Sequence, residues 1–292
     1  DFGGRVTATI FDLGAVPVIV PDLPEVDYHA HPALSSTGAR TLLDCPARFQ
    51  WQRQHPITSE TFDFGTTVHT MVLGVGAEPV PLDFDSWRTK ASQEAAAEVR
   101  AAGDVPMLRD AYDAARSCAD AVLADRRAKA ILARCDQREV SMFAEDPATG
   151  VAMRARLDLY GAGDEPLAAD LKTAASAADD DFARAAANYG YAVQMAWYQH
   201  VRALATGDDT PIPFRFVVVE KSPPYLVNVI ELDAEFAQIG RSQVERALRT
   251  YAECVERYGD GPWPGYGNPD EPDEPNLIGP PGWLSYSEGM EL

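Results

Sequence analysis

The sequence predicts a mixed α/β fold in which a central β-sheet is flanked by helices. The stretch from Met153 to Tyr198 has the pattern of a strand, a turn, a second strand and a long helix. Further segments alternate as strands do and span Arg138–Asp146, Phe214–Lys221 and Leu226–Leu232. Ala-rich sequence with charges at helical intervals, chiefly Lys90–Arg134, predicts helices beside this sheet.

The N-terminal part of the chain is predicted to be mostly helical after an extended start. Residues 1–25, with scattered apolar positions among Gly and Pro, predict an extended arm or an edge strand. Ser35 is a good N-cap for a first helix, and Pro46 can begin a second. A helix from Gly65 to Leu73 follows, and the segment Lys90–Arg134, interrupted by Gly and Pro, predicts two more.

The C-terminal half supplies most of the sheet and a closing helix. The strands that carry Asp158 and Asp170 are joined by a turn at Gly161–Pro166 and are predicted to form a three-stranded meander with Arg138–Asp146. The long helix after them is predicted to bury an apolar stripe made of Phe182, Ala186, Tyr189, Val193, Trp197 and Val201. An amphipathic helix from Ala234 to Tyr258 closes the domain.

The predicted organisation is one domain with two extensions, since no internal repeat and no second domain is evident in the 292 residues. We expect an N-terminal arm at residues 1–25, a folded domain at 26–258 and a Pro/Gly-rich extension at 259–292. This extension is expected to be held against the body by its aromatic residues, Trp263, Tyr266 and Trp283.

Four charged side chains are predicted to converge on the two central strands. Because side chains alternate along a strand, Arg156 and Asp158 share one face of the first strand, and Asp170 and Lys172 share one face of the second. Neighbouring ionised carboxylates repel each other unless a cation neutralises them. A hard divalent ion such as Mg²⁺ suits them, and Lys172 beside it would orient or deprotonate a water.

This D-x11-D-x-K arrangement resembles the PD-(D/E)XK nuclease superfamily, here with Arg-Leu-Asp in place of the usual Pro-Asp. Gln194 and Tyr198 stand four residues apart on the following helix and share a face, and this Q-x-x-x-Y resembles a signature of the RecB-like branch. Upstream, Gly65 and His69 match the G-x-x-x-H of that branch, in which the His is a metal ligand.

The resemblance extends to the RecE (exonuclease VIII) family over roughly residues 26–283. It rests on five segments in order, DYHAHPALSSTGARTLL, FGTTVHTMVLG, EDPATGVAMRARLD, ADLKTAASA and YGYAVQMAWYQH. It implies an exonuclease that uses Mg²⁺, with Mn²⁺ able to substitute, and degrades one strand of linear double-stranded DNA from its 5′ end. The remaining 3′ tails would serve recombination, so the implied partner is a single-strand annealing recombinase of the RecT type. A ring-shaped homo-oligomer is expected as well.

The resemblance also implies roles for the residues of these motifs. The metal ligands would be His69, Asp158, Asp170 and the carbonyl of Leu171, and Lys172 would orient the attacking water. Gln194 and Tyr198 would position Lys172 or the scissile strand. Two further expectations come from local chemistry and not from the resemblance. Arg156 would contact a DNA phosphate, and Ser35, for which an N-cap is the favoured interpretation, is a second candidate phosphate contact at its helix N-terminus.

Composition limits these expectations. The net charge of −20 opposes general affinity for nucleic acid, which normally relies on an excess of Lys and Arg. No apolar run is long enough to cross a membrane, and no signal peptide is evident, so a cytoplasmic protein is expected. The four cysteines form no C-x-x-C pair, and only Cys254 follows the catalytic stretch, so no disulfide, zinc site or iron–sulfur cluster is expected.

Two alternatives stay open at this stage. One is a structure-specific or iron–sulfur nuclease of the same superfamily. The other is a DNA-end-binding assembly factor that has kept the fold without turnover. Glu139 could add an acidic group near the metal, but a solvent-facing position at the start of its strand is the favoured interpretation.

Overall fold

The computed structural model describes residues 17–55, 64–267, 270 and 273–280. Within them, the strands are β1 (Val18–Val20), β2 (Pro79–Leu82), β3 (Val105–Leu108), β4 (Gln137–Glu145), β5 (Ala152–Gly161), β6 (Leu167–Ala174), β7 (Phe214–Glu220) and β8 (Val227–Glu231). The helices are α1 (Glu25–Ala30), α2 (Ser36–Asp44), α3 (Pro46–Gln54), α4 (Phe64–Leu73), α5 (Lys90–Ala101), α6 (Arg109–Ala124), α7 (Arg126–Arg134), α8 (Asp179–Tyr189), α9 (Tyr191–Thr206) and α10 (Ala234–Tyr258).

A six-stranded mixed sheet in the order β1-β4-β5-β6-β7-β8 forms the centre of the fold. Strands β4, β5 and β6 form the predicted antiparallel meander, whereas β6 and β7 run parallel because α8 and α9 connect them. A separate two-stranded parallel sheet joins β2 to β3. The predicted mixed α/β fold is therefore confirmed.

Helices cover both faces of the sheet, and each face has its own apolar cluster. Along β7, Phe216 packs into the cluster that contains Trp197 of α9, while the next residue, Val217, packs into the cluster that contains Val68 of α4 and Ile131 of α7. This alternation is what a strand buried on both faces requires. Strands β5 and β6 therefore lie in the middle of the fold, where their buried polar side chains need hydrogen-bond partners on neighbouring elements.

Three sequence-based expectations about the helices need correction. The predicted long helix after Asp179 is two helices, because Gly190 adopts φ +66 and breaks it, and Tyr189 is exposed rather than part of the buried stripe. The segment Lys90–Arg134 contains three helices and β3 instead of two helices.

At the N-terminus, β1 pairs with β4, so it is an edge strand of the sheet, and the predicted boundary at residue 26 falls inside α1.

The start of the C-terminal extension packs on the body. Trp263 is buried, stacks on Phe49 of α3 at 5.7 Å between ring centroids and meets Tyr251 of α10 edge-on. Tyr266 is largely exposed and contacts Arg48. Residues 1–16 of the predicted arm, and Trp283, lie outside the described residues. Among those described, no helix is both long and apolar enough to cross a membrane.

Helices α9 and α10 pack closely at Gly240, and this contact yields a test. A Cβ at Gly240 would lie 2.3 Å from the carbonyl oxygen of Ala192, which is backbone and cannot move aside easily. Gly240→Ala should therefore destabilise the protein by about 1–3 kcal/mol, although Ala favours a helix by roughly 1 kcal/mol over Gly.

The matched control is Gly163→Ala, where nothing lies within 4 Å of the added carbon. Urea unfolding followed by circular dichroism measures both variants. A Gly240→Ala protein as stable as the wild type would show that the two helices are not in close contact.

Candidate functional site

His69 lies on α4, and its imidazole ring reaches Leu171 on β6 and Asp158 on β5. Its Nε2 is 2.6 Å from the carbonyl oxygen of Leu171, and its Nδ1 is 3.4 Å from Oδ2 of Asp158. Because a carbonyl oxygen only accepts, Nε2 must carry the proton and donate it. The lone pair of neutral Nδ1 therefore faces Asp158 and is available to a proton or a metal ion.

Asp158 is a buried carboxyl group in the middle of β5. Its Oδ2 accepts a hydrogen bond from the backbone N–H of Leu171 at 2.9 Å. Burial, together with the nearby charge of Asp170, raises the pKa of Asp158 to about 7. Burial alone would lower the pKa of His69, but the charges of Asp158 and Asp170 and the Leu171 carbonyl outweigh it and raise that pKa. Asp158 and His69 therefore keep their protons to a higher pH than isolated Asp and His side chains would.

Glu139 belongs to this site, so its favoured solvent-facing interpretation is wrong. Arg138 pairs with Leu159 and Val140 with Leu157, which places Glu139 opposite Asp158 across the β4–β5 ladder. Its φ of +49 is unusual for a residue with a side chain inside a strand. One ligand atom from each of His69, Glu139 and Asp158 lies within 4.8 Å of the others. Burial raises the pKa of Glu139.

Asp170 and Lys172 share one face of β6, as the alternation predicts. Lys172 Nζ lies 2.6 Å from Oδ2 of Asp170, and Nε2 of Gln194 donates to Oδ1 of Asp170 at 2.6 Å. Burial would lower the pKa of Lys172, but the carboxylates of Asp170 and Asp158 outweigh it and raise that pKa. Lys172 is therefore a cation that is paired with Asp170.

Two tyrosines of α9 complete the surroundings. Lys172 Nζ stands 4.9 Å from the centroid of the Tyr191 ring, a favourable cation–π distance. Tyr198, one turn after Gln194, is buried, and burial raises its pKa well above the ordinary value. Sequence reasoning missed Tyr191, although it begins the YAVQMAWYQ segment, because only the break at Gly190 turns its ring towards β6.

The residues present fit a divalent cation. His69 Nδ1 and Asp158 Oδ2 are 3.4 Å apart, close to the separation of about 3 Å expected for adjacent ligands of an octahedral Mg²⁺ site. Three acidic or imidazole groups converge there, and the raised pKa of Asp158 shows the cost of ionising it without a cation. The set of His69, Glu139 and Asp158 would hold the ion.

The other two predicted ligands are engaged elsewhere. Lys172 and Gln194 contact the two oxygens of Asp170, and the Leu171 carbonyl accepts from His69. Their assignment as metal ligands stays a prediction, as does the absence of an iron–sulfur cluster. Cys45, Cys118, Cys135 and Cys254 are buried and free.

The two predicted DNA contacts lie beside this cluster, along one cavity. The Nε of Arg156 is 3.3 Å from the carbonyl oxygen of Glu139 and 3.4 Å from its carboxylate. Ser35 caps α2 by accepting from the N–H of Gly38 at 3.1 Å. Both residues line the same cavity as Asp158, so each can reach a ligand there.

Replacing the buried carboxyl group should change the pH dependence of stability. The folded pKa of Asp158 is about 7, whereas an unfolded Asp titrates near 3.9. The folded state thus keeps a proton that the unfolded chain loses, so the stabilising contribution of Asp158 is complete below about pH 4 and is lost as the pH rises to about 7. In the presence of a metal chelator at about pH 8, the free energy of unfolding of Asp158→Asn should exceed that of the wild type by on the order of 1–3 kcal/mol.

Urea unfolding between about pH 4 and pH 8 measures this, and the advantage of Asp158→Asn should shrink towards the acid end. Asp164→Asn, in the exposed turn between β5 and β6, is the control and should follow the wild-type profile. If the wild type is at least as stable as Asp158→Asn at pH 8, the claim that the buried, ionised Asp158 carboxylate destabilises the fold is wrong.

Comparisons with known proteins support the fold. The model of a family described as "PDDEXK-like domain of unknown function (DUF3799)" matches residues 35–267. A crystal structure named "putative exonuclease" from Eubacterium rectale is similar in fold, with a TM-score of 0.53 and 14% sequence identity, over 93% of this chain and 100% of that one. No curated protein matches the chain.

The family match covers α2 to α10 and includes every charged residue of the cluster around Asp158 and Asp170. At 14% identity, the structural similarity supports the fold alone. On the family match, the chain belongs to the PDDEXK-like domain family and carries a fold of the PD-(D/E)XK nuclease superfamily.

Proposed function

We propose that this protein is a metal-dependent exodeoxyribonuclease that hydrolyses one strand of linear double-stranded DNA in the 5′-to-3′ direction. One observation carries the nuclease assignment: the carboxyl and imidazole groups of His69, Glu139 and Asp158 lie beside the Asp170–Lys172–Gln194 cluster. The specific direction and substrate rest on the resemblance to the RecE family.

The cofactor we propose is Mg²⁺, with Mn²⁺ able to substitute. When bound, such an ion would stabilise the charge that develops on phosphate oxygens and would lower the pKa of a bound water. Carboxylates and one imidazole are ligands that both ions accept. His69 is held in one orientation by its bond to Leu171, so little rearrangement is needed to present Nδ1.

Lys172 has the geometry of a group that orients a water or a phosphate oxygen. Asp170 and the Tyr191 ring hold its ammonium group from two sides, and Gln194 in turn holds Asp170. The ammonium hydrogens that do not face Asp170 can bind a developing negative charge without reorganisation. The raised pKa of Lys172 favours this electrostatic role over that of a general base. Gln194 therefore acts through Asp170 to position Lys172, and Tyr198 packs beside it.

Arg156 and Ser35 are proposed to contact DNA phosphates, and the local charge offsets the acidic surface. Arg156 and Arg154 lie together in the cavity beside Asp158. Two guanidinium groups in a confined space bind phosphate strongly despite a net charge of −20 for the whole chain. The acidic exterior would weaken nonspecific adhesion to duplex DNA.

A ring-shaped homo-oligomer is the proposed assembly, and a single-strand annealing recombinase of the RecT type is the proposed partner. Both come from the family resemblance. A physical argument supports the ring, because a chain with a net charge of −20 would hold DNA weakly as a monomer, whereas a closed ring retains the strand topologically. The 3′ single-stranded tails left by the reaction are the substrate that an annealing recombinase requires.

Nuclease activity is tested with linear duplex labelled at either the 5′ or the 3′ end, in Mg²⁺. Release of the 5′ label first, with the 3′-labelled strand shortening gradually, is expected. Lys172→Ala should lower the rate by about 10²–10⁴-fold, because it removes the donor that binds developing charge, while metal binding measured by calorimetry should persist.

Lys90→Ala, an exposed lysine on α5, is the control and should keep the wild-type rate. Equal rates for wild type and Lys172→Ala would show that the cluster is not catalytic. Binding of DNA ends without any hydrolysis in the wild type would instead favour the assembly-factor alternative.

The ring is tested by light scattering and by digestion after an excess of unlabelled duplex is added to the preformed complex. We expect an oligomeric mass and continued digestion of the labelled strand, because the DNA cannot leave a closed ring. A monomeric mass together with digestion that stops on addition of the trap would exclude it.

A further inference from the structure

Two stacked aromatic rings lie on the surface at the C-terminal end of α3. The rings of Trp51 and His55 stand 4.7 Å apart between centroids and are only 16° from parallel. Trp51 is 54% exposed, although proteins usually cover most of a tryptophan side chain. Within the part of the chain that the structure describes, neither ring belongs to an apolar core or to the cluster around Asp158 and Asp170. Neither the fold nor the candidate site accounts for this pair.

The ring of His55 is fixed against Trp51 by two hydrogen bonds to one acceptor. The backbone N–H and the ring Nδ1 of His55 each lie 2.9 Å from the carbonyl oxygen of Trp51. Because a carbonyl oxygen only accepts, Nδ1 carries a proton and donates it. His55 thus supports the indole, and the exposed remainder of Trp51 offers apolar surface to a further ring. This Trp51–His55 platform would lose little side-chain entropy when a ligand stacks on it.

Gln52 links the platform to the cavity beside Asp158. It lines this cavity together with Arg154 and Asp158. It also precedes His55 by three residues, and side chains at that spacing are neighbours on a helix surface. The cavity and the platform therefore meet along one side of α3. A DNA strand that leaves the cavity past Gln52 would next meet the platform.

The charge of α3 suits a nucleic-acid ligand. This helix contains Arg48 and Arg53 and no acidic residue, in a chain whose net charge is −20. Arg48 is paired with Asp44, and Arg53 donates to the hydroxyl of Tyr251 at 2.6 Å. Burial lowers the pKa of Arg154, and the charge of Arg53 lowers it further, so Arg53 contributes to the positive potential of the cavity. This side of the molecule is therefore more favourable to phosphates than the acidic surface as a whole.

The chemistry of the platform favours unpaired bases. In duplex DNA the bases are stacked on one another, whereas an unpaired base has free faces that can stack on an aromatic side chain. Such stacking tolerates any sequence, because every base has a π-face. The reaction proposed above leaves a 3′ single-stranded tail beside the remaining duplex. That tail supplies unpaired bases close to the cavity.

We propose that the Trp51–His55 platform binds the 3′ single-stranded tail by stacking one of its unpaired bases on the exposed indole of Trp51. The proposal rests on the proposed exonuclease function and assigns a site to the strand that is not hydrolysed. Trp51 is the contact residue, and His55 is a positioning residue that fixes the indole. Binding the tail would hold the enzyme at the junction of duplex and single strand while the other strand is shortened.

The test compares duplexes that differ only in the bases of the tail. Fluorescence anisotropy in Ca²⁺, which replaces Mg²⁺ to limit hydrolysis, measures binding of a duplex with a 3′ thymidine tail and of the same duplex with an abasic 3′ tail of equal length. Both tails carry the same phosphates, so the difference in affinity reports the bases alone. The wild type should bind the thymidine tail at least about fivefold more tightly, as stacking on an aromatic side chain predicts.

Trp51→Ala should remove most of this preference, whereas Trp51→Tyr, which keeps an aromatic ring, should retain it. Leu123→Ala is the control and should bind as the wild type does, because Leu123 is an exposed apolar residue of α6, which packs on the opposite face of the sheet from α3. Equal affinity of the wild type for the two tails, a stronger preference for a 5′ tail, or an unchanged preference in Trp51→Ala would each overturn the proposal.

Light scattering separates this site from a contact between copies of the chain. Trp51→Ala should have the same mass as the wild type, and a smaller mass would assign Trp51 to a subunit contact and overturn the proposal. A wild type that digests linear DNA without any tail preference refutes this inference alone. A wild type that shows the preference and never cleaves refutes the proposed function instead.

Discussion

The burial of several acidic groups around Asp158 is the constraint on which the site depends. A carboxyl group in the middle of a sheet that is covered on both faces loses most of its solvation, and Asp170 and Glu139 add like charge. The protein balances this with His69 on one side and Lys172 on the other. A bound cation would complete this balance, and His69, Glu139 and Asp158 are placed to hold one.

Two local departures from regular structure lie beside the site. Glu139, which stands opposite Asp158 on the neighbouring strand, has a positive φ, and its carboxylate lies close to His69 and Asp158. The break at Gly190 separates α8 from α9, so that Tyr191 and Gln194 face Lys172 and Asp170. The close contact of α10 with α9 at Gly240 then holds this helix against the sheet.

The chain is acidic as a whole, but two arginines are concentrated in the cavity beside Asp158. This local positive charge is compatible with the proposed phosphodiester substrate. Arg154 and Arg156 are fixed by backbone carbonyls and by the ring of Tyr28. Two arginines held in a cavity present a concentrated positive charge, whereas the many exposed carboxylates are screened by solvent and salt. Under the proposed function, the substrate would therefore be recognised by a confined site rather than by a basic surface.

The sequence by itself determined the mixed sheet, the meander of β4, β5 and β6, the helix that carries His69 and the shared faces of Asp170–Lys172 and Gln194–Tyr198. These follow from local periodicity, in which a period of two or of 3.6 decides which side chains lie together. Tertiary structure alone decided that Glu139 joins the cluster, that Tyr191 contacts Lys172 and that Arg154 and Arg156 both lie against the ring of Tyr28. Each of these depends on contacts between residues distant along the chain, or on a backbone angle that neighbouring residues do not specify, so no local pattern records it.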